Sequence, residues 1–248
     1  MKKVVIIGGA GTVGKILAND LSSVYRIVII DQTPLEIDGV EFIHGDATNY
    51  HELMSKIPRD TNTIINLLKI DTNGPIEEIN HFDSMTNVYF KATYYILMIA
   101  ATFEIPKVIF ASSNHVTDYY EKNGDSLLGR EINVNDYPKM RSVYGLLKLA
   151  SEQAGFIFSI NHNISVINIR IGSVPSKNEK IAIQQDPRLK KTIFTDDDVA
   201  QLFRNAIEAK VKFGTYYGVS NNCGKPWDMT SAEEELGFKS LINSDDLL

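Results

Sequence analysis

Tyr144 and Lys148, four residues apart, are the pair in this sequence best suited to chemistry. On a helix such residues point the same way, and a nearby ammonium stabilises phenolate over phenol, lowering a tyrosine from its reference pKa of about 10. Tyr144 then becomes a usable base. Ser113 follows a predicted strand over 107–111, and open α/β sheets place ligands at the carboxyl ends of their strands. It is therefore expected to hydrogen-bond the same substrate oxygen, and the three side chains together suit removing a proton from an alcohol.

A second constellation lies at the start of the chain. Val4-Val5-Ile6-Ile7 runs into Gly8-Gly9-Ala10-Gly11-Thr12-Val13-Gly14, which reads as a strand, a glycine turn and a helix start. Gly8 permits the turn, Gly11 lets backbone approach a pyrophosphate, and Gly14 lets the helix pack on the strand. A second strand ends at Ile30 and delivers Asp31, about 20 residues on, where a ribose 2′-hydroxyl would sit. A carboxylate there repels a 2′-phosphate, so NAD is favoured over NADP. The rival is a triphosphate-binding loop ending at Lys15, but that motif needs Ser or Thr next for magnesium and Ile16 stands there. With NAD bound, hydride would leave the substrate for the nicotinamide as Tyr144 takes the proton.

These residues need a scaffold, and the hydrophobic pattern supplies one. Val/Ile-rich runs at 3–7, 26–30, 40–43, 63–67, 107–111 and 164–169 read as strands, apolar on both faces as in a buried parallel sheet. Segments 12–22, 50–57, 84–103 and 138–160 read as helices between them. The last is expected to start at Pro138, a residue favoured at the first helical position. The order predicts an α/β, Rossmann-like doubly wound parallel sheet: one NAD-binding domain over 1–248, with 171–248 contributing most of a small C-terminal substrate-binding region. Pro175 to Asn178 and then Gln184 to Lys191 read as a polar loop, 197–209 as a short helix that Asp196-Asp197-Asp198 opens, and Thr215 to Val219 and then Trp227 to Leu236 as one strand and one helix.

Composition narrows the partners. The chain has 248 residues, 25 Lys+Arg against 31 Asp+Glu and a net charge of -6, a field that repels nucleic acid and anionic membrane surfaces. No apolar run reaches the length of a membrane span, and Met1-Lys2-Lys3 passes into too short an apolar run for a signal peptide. The single cysteine, Cys223, forms no internal disulfide and suits a reducing compartment, so a soluble cytoplasmic protein is expected. His44, Asp46 and His51 lack any recognised zinc spacing, and no metal is expected.

The glycine spacing, Asp31, Gly45-Asp46, Asn87, Ser112-Ser113 and Tyr144-x-x-x-Lys148, in this order, resemble the extended short-chain dehydrogenases/reductases, the NAD-dependent epimerase/dehydratase family. The resemblance covers nearly the whole chain. It implies a catalytic set of Ser113, Tyr144 and Lys148. It also implies a cofactor set of Gly8, Gly11, Thr12, Val13, Gly14, Asp31, Gln32, Asp46, Ala47, Leu67, Leu68 and Asn87, to which Tyr144 and Lys148 add contacts. Leu68-Lys69 is a departure, for the family usually has small residues there beside the cofactor.

Within the family, Ala111 to Val116, Arg170-Ile171-Gly172-Ser173 and Trp227-Asp228 are similar to runs in uronate dehydrogenases. That similarity implies sugar contacts from Ser113, Asn114, His115 and Ser173, and an arginine, aligned to Arg188, on the uronate carboxylate. Asp118 stands where a glycine is usual. The implied function is NAD-dependent oxidation of a sugar or sugar acid. The alternatives are a nucleotide-sugar epimerase or dehydratase, which generally needs a larger C-terminal part, and a non-catalytic dinucleotide sensor. A homodimer through helices 84–103 and 138–160 is implied as well.

Overall fold

The computed structural model describes residues 1–176 and 186–247. Its centre is a seven-stranded parallel sheet whose strands lie side by side in the order 41–44, 26–31, 3–7, 63–66, 107–113, 165–171 and 213–218. The strands are β1 (Lys3–Ile7), β2 (Arg26–Asp31), β3 (Glu41–His44), β4 (Thr63–Asn66), β5 (Lys107–Ser113), β8 (Ser165–Ile171) and β9 (Phe213–Gly218). A separate two-stranded ribbon pairs β6 (Glu121–Lys122) with β7 (Asp125–Ser126). Chain order reverses between β1 and β4, which opens a crevice at their carboxyl ends.

Alternate side chains of each strand feed opposite layers, which is why the runs are apolar throughout. Val4, Ile6, Ile29, Ile109 and Ile169 pack with α1 (Thr12–Leu21), α7 (Asp196–Glu208) and α8 (Thr230–Leu236). Val5, Ile7, Val28, Val108 and Val166 pack with α2 (Tyr50–Lys56), α4 (Ala92–Thr102) and α5 (Val143–Asn161). Lys107 ties the layers at one end, its buried ammonium donating to the carbonyls of Ala206, Ile207 and Ala209 as α7 ends. Among the described residues no helix is long and apolar enough to cross a membrane.

Three sequence expectations need correction. The helix expected from Pro138 begins at Val143, because Ser142 caps it by accepting the Gly145 N–H at 3.2 Å. Residues before the cap are held elsewhere: the Lys139 carbonyl accepts from Tyr119 N–H, and Arg141 N–H donates to Asp118. The single helix over 84–103 is instead α3 (Ile79–Met85), a π-helical stretch over Thr86–Lys91, and α4. The polar loop contains α6 (Pro187–Thr192), started by Asp186, whose side chain accepts from the N–H groups of Arg188 and Leu189. The part of that loop expectation falling on 177–185 lies outside the described residues.

Candidate active site

The glycines form a tight turn between β1 and α1, with Gly14 packed on Gly9 of the turn rather than on the strand. Gly8 has φ +77, and a Cβ there would lie 2.9 Å from backbone atoms of Leu67 and Leu68, so β1 turns directly against the end of β4. A Cβ on Gly14 would lie 2.1 Å from the Gly9 carbonyl, a contact only glycine permits. A Cβ on Gly11 would meet nothing closer than the Gly8 carbonyl at 3.9 Å, and no side chain caps this residue, the N-cap of α1. Thr12 and Val13 open α1, whose uncapped first N–H groups suit a pyrophosphate.

Asp31 ends β2 beside the glycine turn, accepting Ala10 N–H at 2.9 Å and Thr33 N–H at 2.8 Å. Asp46 accepts the backbone N–H and hydroxyl of Thr48. Burial opposes its charge, but the bonds from Thr48 and the Gln32 side chain prevail and hold its carboxyl below the usual carboxylate range. Gln32 and Asp46 thus sit together, with Ala47 buried beside Asp46. Leu67 packs into the layer under α1, and Leu68 packs against the layer of α2 and α4 while Lys69 is exposed. Bulk at Leu68 is therefore taken up by the core. Asn87 is exposed on the π-helical stretch, an irregularity frequent at functional sites. These residues fit a dinucleotide.

The triad collects where β5 ends. Ser113 lies at that end and its hydroxyl accepts the His115 N–H at 3.2 Å, starting a 3₁₀ turn over Asn114–Tyr120. Tyr144, in the first turn of α5, lies close enough to Ser113 for that side chain to favour its phenolate. Lys148 stands one turn further, its Nζ 5.7 Å from the Tyr144 ring centre and 4.8 Å from that of Tyr89. The same Nζ donates to the Ala111 carbonyl at 2.8 Å.

The electrostatics differ from the sequence reading. Tyr144 is pushed up from its ordinary value by burial, against the pull of Ser113, so the lowering expected from Lys148 does not prevail. Burial also pushes Lys148 down to about 8, with Glu152 pulling the other way. The Lys148 ammonium is aimed at the Ala111 carbonyl, and desolvation dominates at the phenol.

Several neighbours escaped the sequence reading. Tyr89 packs edge-on against Tyr144 at 5.0 Å, and its hydroxyl is pinned by the backbone of Ile70. Glu152 and Arg170 form a buried bidentate ion pair at 3.0 and 2.8 Å, 2 % and 4 % exposed. Glu152 also accepts the Ser112 hydroxyl at 2.5 Å. Glu152 and Lys148 both line a small cavity, together with Asn66, Thr93, Ser112 and Ser151. The available signal was Glu152 itself, an acid four residues beyond Lys148 on an apolar helix. Gly145 was missed too: a Cβ there would lie 2.5 Å from the His115 carbonyl, so this glycine lets α5 settle on the turn after β5.

The expected sugar contacts divide. Asn114 is buried and His115 stands beside Tyr144, ring centres 5.6 Å apart. Ser173 follows β8, its hydroxyl 2.9 Å from the Thr192 hydroxyl. Arg188 is drawn to Glu121, giving its fork to that carboxylate at 2.9 to 3.3 Å. A substrate carboxylate there would compete with Glu121.

A doubly wound sheet with a glycine cradle at its reversal and Ser, Tyr and Lys at the end of β5 defines a dinucleotide-dependent enzyme class. Residues 4–219 match the NAD dependent epimerase/dehydratase family, and the chain belongs to it. It is 47 % identical over 249 residues to Bacillus subtilis YtbQ, an uncharacterized protein, covering 100 % of this chain and 97 % of that one. It is 25 % identical over 254 residues to the NAD-dependent glucose-6-phosphate dehydrogenase of Haloferax volcanii, covering 97 % and 94 %. The crystal structure of glucuronic acid dehydrogenase from Chromohalobacter salexigens superposes with a TM-score of 0.83 at 23 % identity, covering 99 % of this chain and 86 % of that one.

Proposed function

We propose that this protein is an NAD-dependent dehydrogenase of a small sugar or sugar acid, oxidising the C1 hydroxyl to a lactone. The observation that carries the reading is Tyr144, close to Ser113 and flanked by Lys148, at the carboxyl end of β5 in the sheet whose β1 runs into the glycine turn. Ser113 and Tyr144 hold the C1 hydroxyl oxygen, and Tyr144 takes its proton. NAD, when bound, supplies the hydride acceptor and, before transfer, a positive charge that favours the phenolate. Lys148 adds its remaining charge and would donate to the ribose hydroxyls of the bound cofactor. Asn114, His115 and Ser173 orient the sugar.

The Arg188–Glu121 pair bears on substrate class. Arg suits a carboxylate because its planar fork binds both oxygens, and here Glu121 already fills the fork. Neutral aldoses and sugar phosphates therefore belong beside uronates among the candidates. The relatives that act on glucose 6-phosphate and glucuronic acid support the same range. We further propose a cytoplasmic homodimer paired through α4 and α5, whose Tyr94, Met98, Leu146, Ile157 and Ile160 are exposed.

The test is to supply NAD, then NADP, with glucuronate, galacturonate, arabinose, glucose and glucose 6-phosphate, following the absorbance of the reduced nicotinamide. NADH formed from one of these, with NADP much poorer, is the expected result. Tightly retained NAD with no net NADH would instead favour an epimerase.

A further inference from the structure

The site holds a second acid–base pair whose proton-transfer capacity the oxidation of an alcohol does not use. Asp118 lies in the 3₁₀ turn after β5, its Oδ2 2.9 Å from Nδ1 of His115. Its other oxygen accepts the Arg141 N–H at 2.8 Å, so both carboxylate oxygens are engaged and the group is fixed. A carboxylate on Nδ1 selects the tautomer with the proton there and leaves Nε2 as an acceptor. The edge-on contact with Tyr144 steadies the ring, and the side chain remains 45 % exposed. Nε2 is thus an oriented base that water can reach.

Beside it stand Ser113 and Tyr144, which in the dehydrogenase reading hold the oxygen of the reacting carbon. Once C1 has been oxidised, Tyr144 carries the proton and both hydroxyls donate to the lactone carbonyl. Two donors on a carbonyl oxygen, an imidazole base and a carboxylate orienting that base form an arrangement suited to opening an ester.

We propose that this site hydrolyses the lactone it forms. Nε2 of His115 takes a proton from water as the water oxygen bonds to C1, and the carbonyl electron pair moves onto the oxygen held by Ser113 and Tyr144. As the carbonyl re-forms, the bond from C1 to the ring oxygen breaks and His115 returns the proton to that oxygen. The product is the open-chain aldonic acid, and nothing is oxidised or reduced. Asp118 is a positioning residue that acts through His115. The lactone as natural substrate rests on the dehydrogenase reading above, whereas the hydrolytic geometry stands without it.

The experiment supplies the 1,5-lactones of gluconate, arabinonate and glucarate directly to the protein, with no NAD, and follows acid release at constant pH. At least one lactone should open at a rate proportional to protein concentration and above the spontaneous rate. Asp118→Asn should lower kcat about 10²-fold with little change in KM, because the amide can donate to Nδ1 and select the wrong tautomer. His115→Gln should lower it as far. Acid release no faster than without protein, or wild-type kcat in both variants when folded, overturns the proposal. A protein that reduces NAD with a sugar yet opens no lactone would keep the dehydrogenase reading and lose this one.

Discussion

At the scale of single residues, the site depends on charges that burial has moved away from their ordinary values. Tyr144 is raised and Lys148 is lowered to about 8, so the working state, phenolate beside ammonium, is the minor one at every pH. Its population grows with pH until Lys148 titrates and then levels. We therefore expect kcat/KM for sugar oxidation to climb to about pH 8 and flatten. In Lys148→Met the values should be lower and the climb should continue toward the raised value of Tyr144. A profile in the variant that still flattens near wild type would contradict this assignment. Arg170→Met tests the buried pair beneath the lysine. Removing one partner leaves Glu152 uncompensated, a loss of about 3–5 kcal/mol, which a denaturant titration would measure.

Among the elements, α5 carries the geometry. Its cap at Ser142 sets where Tyr144 sits in the first turn, and Gly145 lets that turn approach the His115 carbonyl. Gly145→Ala should push α5 off the turn after β5 and lower kcat/KM by roughly 10²-fold, while circular dichroism shows the same helix content. A variant with wild-type kcat/KM would remove Gly145 from the account. The sheet and the need for glycine at Gly8 and Gly14 were legible because each strand is apolar on two faces and Gly14 has no alternative to close packing. The helix start at Val143 was not, since Pro138 carries a local signal for a first helical position that bonds from Asp118 and Tyr119 override. The π-helical stretch has no local signature either. Arg188 and Glu121, 67 residues apart, meet through tertiary packing that no spacing reveals, and the upward push on Tyr144 is a property of burial.

For the whole molecule, the parallel sheet presents cradle and triad on one edge, and the outer surfaces of α4 and α5 are left with apolar residues exposed. Ile157 is 54 % exposed and Ile160 64 %. Light scattering after gel filtration should give twice the chain mass, and Ile157→Lys should give the single chain; a wild-type monomer would refute the pairing. The central claim remains that Tyr144 drives NAD-dependent oxidation of a sugar at C1. Its most direct test is NADH production by wild type and Tyr144→Phe with the same sugar, alongside an NAD-binding titration of both proteins. The account predicts equal NAD binding and a rate 10²- to 10⁴-fold lower in the variant, on the order expected for loss of a general base. An unchanged rate in Tyr144→Phe would contradict it.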